Sequence, residues 1–159
     1  MRNVIVGFVV GVISATAIAT GHAQAGRIVA LNHVGIAVSD FDKSARFHGD
    51  VLGFPEAFAF REGGNPTMSY RQISRNTFIE LQPATPNRPP GLSHIGLEVE
   101  NLAAVVQMLR SKGMSVTEPT VSPRTRSTIA NLETPDGIRI ELLEFGPDSL
   151  HRRVMDAWK

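Results

Sequence analysis

A ten-residue segment of this chain occurs twice, and that recurrence limits the available folds more than any other feature of the sequence. "LNHVGIAVSD" at residues 31–40 returns as "LSHIGLEVEN" at residues 92–101. With residues 28–82 laid over 89–143, an offset of 61, His33 falls on His94, Gly35 on Gly96, Val38 on Val99 and Phe47 on Met108. At the far end "FIEL" falls on "RIEL", so Glu80 meets Glu141, and the His-to-Glu separation is 47 in each half. Agreement at both ends without a net gap is the mark of a duplicated unit. Equivalent residues of two such units converge on one centre if the units pair about a pseudo-two-fold axis.

Each unit reads as strand, helix and three strands. In the first, "HVGIAV" is a strand and Ser39 caps a helix through "DFDKSARFHGDVL", with Phe41, Ala45, Phe47 and Val51 as its apolar positions. "EAFAFR", "TMSYRQI" and "TFIELQ" follow as short strands, split by turn signals such as "EGGNP". In the second, "HIGLEV" precedes a helix "NLAAVVQMLRSKG" ended by Gly113, then strands around 116–118, 127–133 and 138–144. The Pro-rich "QPATPNRPPG" joins the units, and Leu150 to Trp158 form a short amphipathic helix expected on the outside or on a partner. Period-2 alternation puts Arg139, Glu141 and Leu143 on one strand face and Ile138, Ile140 and Leu142 on the other. Glu80 likewise faces away from Ile79 and Leu81.

Taken singly, these residues carry little. A His near a strand start is more often half-exposed than a ligand, and a Glu between Ile and Leu is ordinarily the wet face of an antiparallel strand. Two His and two Glu at equivalent points of a duplicated unit are a different matter. They make an N2O2 donor set suited to Zn, Ni, Mn, Co or Fe(II), with positions left open for water or substrate. The chain has no cysteine, so thiolate chemistry, disulfides and Cys-based zinc sites are excluded. A formal net charge of +1 without a basic run argues against nucleic acid as a partner. Residues 1–25, with Arg2, the apolar run "VIVGFVVGVISATAIAT" and a terminal "AQA", have the layout of a secretory signal cleaved after Ala25. The expected location is therefore periplasmic or secreted, with membrane contact only through an uncleaved signal.

"LNHVGIAVSDFDKSARFHGDVLGF", "FIELQPA", "GLSHIGLEV" and "ETPDGIRIELLEF" resemble the vicinal oxygen chelate superfamily, which includes glyoxalase I, methylmalonyl-CoA epimerase, extradiol dioxygenases and bleomycin-resistance proteins. The resemblance spans residues 28–146, with module one at 28–82 and module two at 92–145, leaving 147–159 as a helical tail. It implies an α+β fold in which two paired βαβββ modules form a cupped mixed sheet around one divalent metal. The ligands it implies are His33, Glu80, His94 and Glu141, with Glu144 on the wrong face to substitute. An intact His/Glu/His/Glu set looks most like bacterial-type glyoxalase I. That implies a lyase or isomerase acting by proton transfer on a small molecule chelated through vicinal oxygens, with Glu141 or Glu80 as base. The rival readings within the superfamily are a non-haem Fe(II) dioxygenase and a non-catalytic ligand-binding or resistance protein.

The chain departs from glyoxalase I where that family holds glutathione: the corresponding positions are Ala37 and Ala84. Tyr70, Arg126 and Asn131 are candidate substrate contacts, with Arg124 beside Arg126 on one loop. Glu98, which shares the parity of His94, reads as a solvated strand residue, His48 as helix surface and His151 as part of the tail. The resemblance also allows a homodimer.

Overall fold

The computed structural model describes residues 26–159; the expected signal segment lies outside the described residues. Eight strands form one mixed sheet in the order β2-β3-β4-β1-β5-β8-β7-β6. The strands are β1 Arg27–Val38, β2 Glu56–Glu62, β3 Asn65–Ser74, β4 Thr77–Pro83, β5 Gly91–Glu100, β6 Thr120–Val121, β7 Thr128–Glu133 and β8 Arg139–Glu144. β1 runs parallel to β4 and β5 parallel to β8, while β1 and β5 pair antiparallel at the middle of the sheet. One chain therefore brings both histidine strands together without a second copy.

Helix α1 (Phe41–Arg46) continues as a π-turn through Phe47–Val51. Its cap is Asp40 rather than Ser39: the Asp40 carboxylate accepts from Lys43 N–H at 2.9 Å. None of its residues is fully buried, so its apolar positions pack only partly against β4. Helix α2 (Leu102–Ser111) is more committed. Leu102, Val105 and Val106 are buried against Val99, Val116, Ala130 and Leu142, which together form the core on the convex side. It ends in a Schellman motif, with Gly113 at φ 83 and hydrogen bonds from Gly113 N to Arg110 O and Met114 N to Leu109 O.

The hairpin between β2 and β3 turns at Gly63-Gly64, both with positive φ, as a two-residue loop between right-twisted strands requires. The strand expected around 116–118 falls instead at Thr120–Val121. Thr117 does bond Asn131 of β7, through its backbone N–H and its hydroxyl, but Pro119 has no N–H and interrupts the ladder.

The C-terminal helix α3 (Leu150–Ala157) does not lie outside the molecule. Its cap Ser149 is fully buried, and His151 and Met155 sink into a cluster with Tyr70, Phe78, Phe58, Met68 and Phe145. Leu150 N–H donates to Thr125 O at 2.9 Å, tying the helix to the loop before β7. That loop also carries Arg124, which pairs with Glu62 of β2 and sits 6.0 Å over the Phe60 ring. β2 is one edge of the sheet and the loop joins the other edge to its neighbour, so this contact curls the sheet into a cup.

Candidate metal centre

The antiparallel register of β1 and β5 builds the centre. His33 lies opposite Gly96, and Gly35 opposite His94. A Cβ on Gly96 would stand 2.1 Å from the His33 ring, and one on Gly35 would stand 2.2 Å from the His94 ring. Each glycine is therefore the space into which the other strand's imidazole folds. The two Nε2 atoms then come to 2.9 Å from each other, with both rings buried. β4 and β8, parallel to β1 and β5, deliver the carboxylates. Glu80 Oε2 is 3.4 Å from both Nε2 atoms, while Glu141 Oε2 is 3.6 Å from His33 Nε2 and 4.0 Å from His94 Nε2.

Hydrogen bonds outside the four donors orient them. The Asn32 amide nitrogen donates to Asn76 O, which turns its Oδ1 toward His33 Nδ1 at 3.0 Å. An acceptor there requires the proton on Nδ1 and leaves the His33 Nε2 lone pair facing the centre. His94 Nδ1 faces the Ser93 hydroxyl at 3.2 Å, a group able to donate or accept. His94 can thus present Nε2–H to His33 or, with its proton on Nδ1, a second lone pair to a metal. The Tyr70 hydroxyl and the Gln82 amide nitrogen both donate to Glu80. Among the described residues outside the two histidines, Glu141 has only Arg139 as an ion-pair neighbour, at 3.6 Å.

Burial holds the His33 pKa down at about 3, with His94 adding to the effect against the pull of Glu80, so the ring is neutral near pH 7. Burial alone would raise Glu80, but hydrogen bonding from His94, the neighbouring histidines and the Tyr70 hydroxyl outweigh it, and its pKa falls to about 2. Glu141 moves the other way: burial raises it, with Glu80 adding to the rise and His94 and Arg139 opposing. Tyr70, pushed well above 10.0 by burial and the two carboxylates, stays a donor. A divalent ion binds imidazole nitrogen lone pairs and ionised carboxylates, and His33, His94 and Glu141 offer donor atoms all within 4.8 Å of one another, a group that leaves out Glu80, whose carboxylate is held by Tyr70 and Gln82. The residues fit a metal.

A cavity of about 200 Å³ opens over the centre, lined by Tyr70, Gln82, Arg88, Arg124, Arg139 and Ile129 among others. Of the candidate substrate contacts, Tyr70 is in its wall. Asn131 stands directly opposite Glu141 on β7 and accepts from Arg139 at 3.0 Å, so it reaches the site through that arginine. Arg126 is exposed and does not line the cavity, whereas Arg124 of the same loop does. Glu98 faces Arg152 of α3 at 3.8 Å and also stands apart.

Three residues beside the centre were not singled out from the sequence. Arg139 shares the parity of Glu141 and could have been read from that alternation, and Gln82 bears the same relation to Glu80. His151 gave no signal, since nothing local distinguishes a tail histidine from a buried one. It is fully buried, its ring 4.8 Å from Tyr70 and 6.1 Å from His33, with Nδ1 3.3 Å from the Ser127 hydroxyl.

The model of the Glyoxalase/Bleomycin resistance protein/Dioxygenase superfamily matches residues 30–142. The chain belongs to that superfamily. A probable lactoylglutathione lyase of Synechocystis is 33% identical over 126 residues, covering 72% of this chain and 94% of the relative. The lactoylglutathione lyase of Salmonella typhimurium is 30% identical, over 72% of this chain and 91% of that protein. Among solved structures, a methylmalonyl-CoA epimerase from Mycobacterium tuberculosis superposes with a TM-score of 0.64 at 25% identity, over 76% of this chain and 90% of its own. The eight-stranded α+β sheet is thus the fold of this superfamily.

Proposed function

We propose that this protein is a metal-dependent lyase or isomerase that moves a proton between adjacent carbons of a small substrate bound through vicinal oxygens. The observation that carries the reading is the convergence of His33, Glu80, His94 and Glu141 on one buried point at the floor of a cavity. These four residues would hold the ion. When bound, a divalent metal supplies Lewis-acid polarisation of the substrate oxygens. The division of labour between the carboxylates follows from their partners. Glu80 is clamped by Tyr70 and Gln82 and suits a fixed ligand. Glu141, with no short hydrogen bond and slightly more open to the cavity, is the carboxylate free to take and return the proton.

Lyase and epimerase relatives support the reaction class. The alanines at 37 and 84 support a substrate other than a glutathione conjugate. The apolar leader ending in "AQA" supports export, which N-terminal sequencing of the mature protein tests by the appearance of Gly26 as first residue.

Elemental analysis and anaerobic turnover test the enzyme. About one divalent ion per chain is expected, lost in His33→Ala, with solvent deuterium entering the product in the absence of O2. Glu141→Gln is expected to keep most of the metal and lose turnover by 100-fold or more, whereas Glu80→Gln loses metal. Protein that stays metal-free after reconstitution defeats the reading in favour of a binding protein. O2 consumption with an absolute iron requirement defeats it in favour of a dioxygenase.

A further inference from the structure

The cavity over the centre carries a cluster of guanidinium groups. Arg88, Arg124 and Arg139 line it together with Glu80 and Glu141, and Glu62 pairs with Arg124 at the rim, so the charges balance until a divalent ion adds positive charge. None of the guanidinium groups is saturated. Arg88 donates from NH2 to Pro83 O at 2.9 Å, and its buried Nε–H has no acceptor. Arg124 is braced by Glu62 and Phe60 at the rim, and Arg139 by Asn131. A buried N–H without an acceptor costs free energy, and a guanidinium edge matches a carboxylate in shape and charge.

Gln82 supplies the complementary observation. It is 7% exposed, and the Glu80 carboxylate, which only accepts, holds its amide nitrogen. That leaves Gln82 Oε1 in the cavity wall as a buried acceptor with no donor. The atom is shut from solvent as it stands, so the amide must rotate slightly toward the cavity before an O–H on a bound molecule meets it.

Size narrows the choice. A cavity of about 200 Å³ is smaller than the roughly 300–1,000 Å³ of drug-sized sites. From these features, and resting on the metal-dependent reading above, we infer that the substrate is a small free hydroxy acid with a further carboxylate apart from its chelating end: that carboxylate on Arg88 and Arg124, and beside it vicinal oxygens over the four donors with a hydroxyl toward Gln82.

Calorimetric titration of the zinc- or nickel-loaded protein with malate and 2-hydroxybutyrate tests this. The two probes share a chelating hydroxy-acid end and differ by a carboxylate in place of a methyl group. Malate is expected to bind at least tenfold more tightly, and that ratio is expected to fall toward one in Arg88→Gln and Arg124→Gln. A ratio near one in the unmodified protein, a ratio unchanged in both variants, or tighter binding of malonyl-CoA than of malate would each overturn the assignment. Metal content measured on the same samples separates the two levels. Protein that takes up metal but ignores the extra carboxylate refutes the hydroxy-acid assignment alone. Protein that takes up no metal refutes the proton-transfer reading and the assignment with it.

Discussion

At the scale of single residues, the glycines explain the histidines. The H-x-G pattern recurs because antiparallel pairing sets each glycine opposite the other strand's imidazole, and no Cβ fits between them. Gly96→Ala is therefore expected to displace His33, which has no room to yield because its ring is fully buried beside Tyr70. The variant should lose metal uptake, read by elemental analysis, and unfold at lower urea; metal binding equal to the parent's would contradict this account of the pattern. Tyr70 is a second case. Tyr70→Phe keeps the ring packing but removes one donor from a buried carboxylate, a loss of about 1.5–3 kcal/mol for a bond to a charged group. Metal affinity should fall by about 10–100-fold, the usual effect of losing an outer partner of a ligand, and a metal titration against a competing chelator would measure it.

At the scale of elements, α2 and α3 show opposite degrees of legibility. The apolar period of α2 and its terminal glycine both appear in the sequence, and both are local causes. The amphipathic pattern of α3 is equally visible, yet what its apolar side meets is not. It meets the open face of module one, where Met155 and His151 close over Tyr70 and Phe78. Met155→Ala should accordingly cost about 2–5 kcal/mol, the range for emptying a methionine site in a core. A loss below about 0.5 kcal/mol in urea unfolding would mean that the helix lies outside after all. The displaced sixth strand has a similar origin, since the β-propensity around 116–118 was readable and the interruption by Pro119 prevailed.

At the scale of the whole molecule, burial of titratable groups makes stability depend on acid. His33 and His151 have folded pKa values lowered to about 3 and about 4 from 6.5, by burial first. For a histidine lowered in this sense, the unfolded chain binds more protons between the two values. Stability is therefore full above about pH 6.5 and falls as pH drops toward 4, by roughly 1.4 kcal/mol per unit for each group. Glu80, lowered to about 2 from 4.5, extends the loss below pH 4.5 in the same direction. Urea midpoints measured from pH 7.5 to 4 should decline accordingly, and His151→Gln should shed about one proton from the slope; a flat profile would contradict the buried neutral state of these rings.

That His33, Glu80, His94 and Glu141 come together could be read from spacing, because duplication puts equivalent residues at equal offsets and strand parity assigns each a face. The fold class followed from the same periodicity together with the superfamily resemblance. Which strand lies beside which, and so that one chain closes the site, depended on the β1–β5 pairing, a contact between segments about 60 residues apart that local pattern does not encode. The roles of Arg88, Gln82 and His151 depended on it too. Their chemistry comes from what is missing around them in space: an acceptor for Arg88 Nε, a donor for Gln82 Oε1, and solvent for His151. Residue type and spacing record what a side chain can do, whereas desolvation and unmet hydrogen bonds exist only once distant segments have packed.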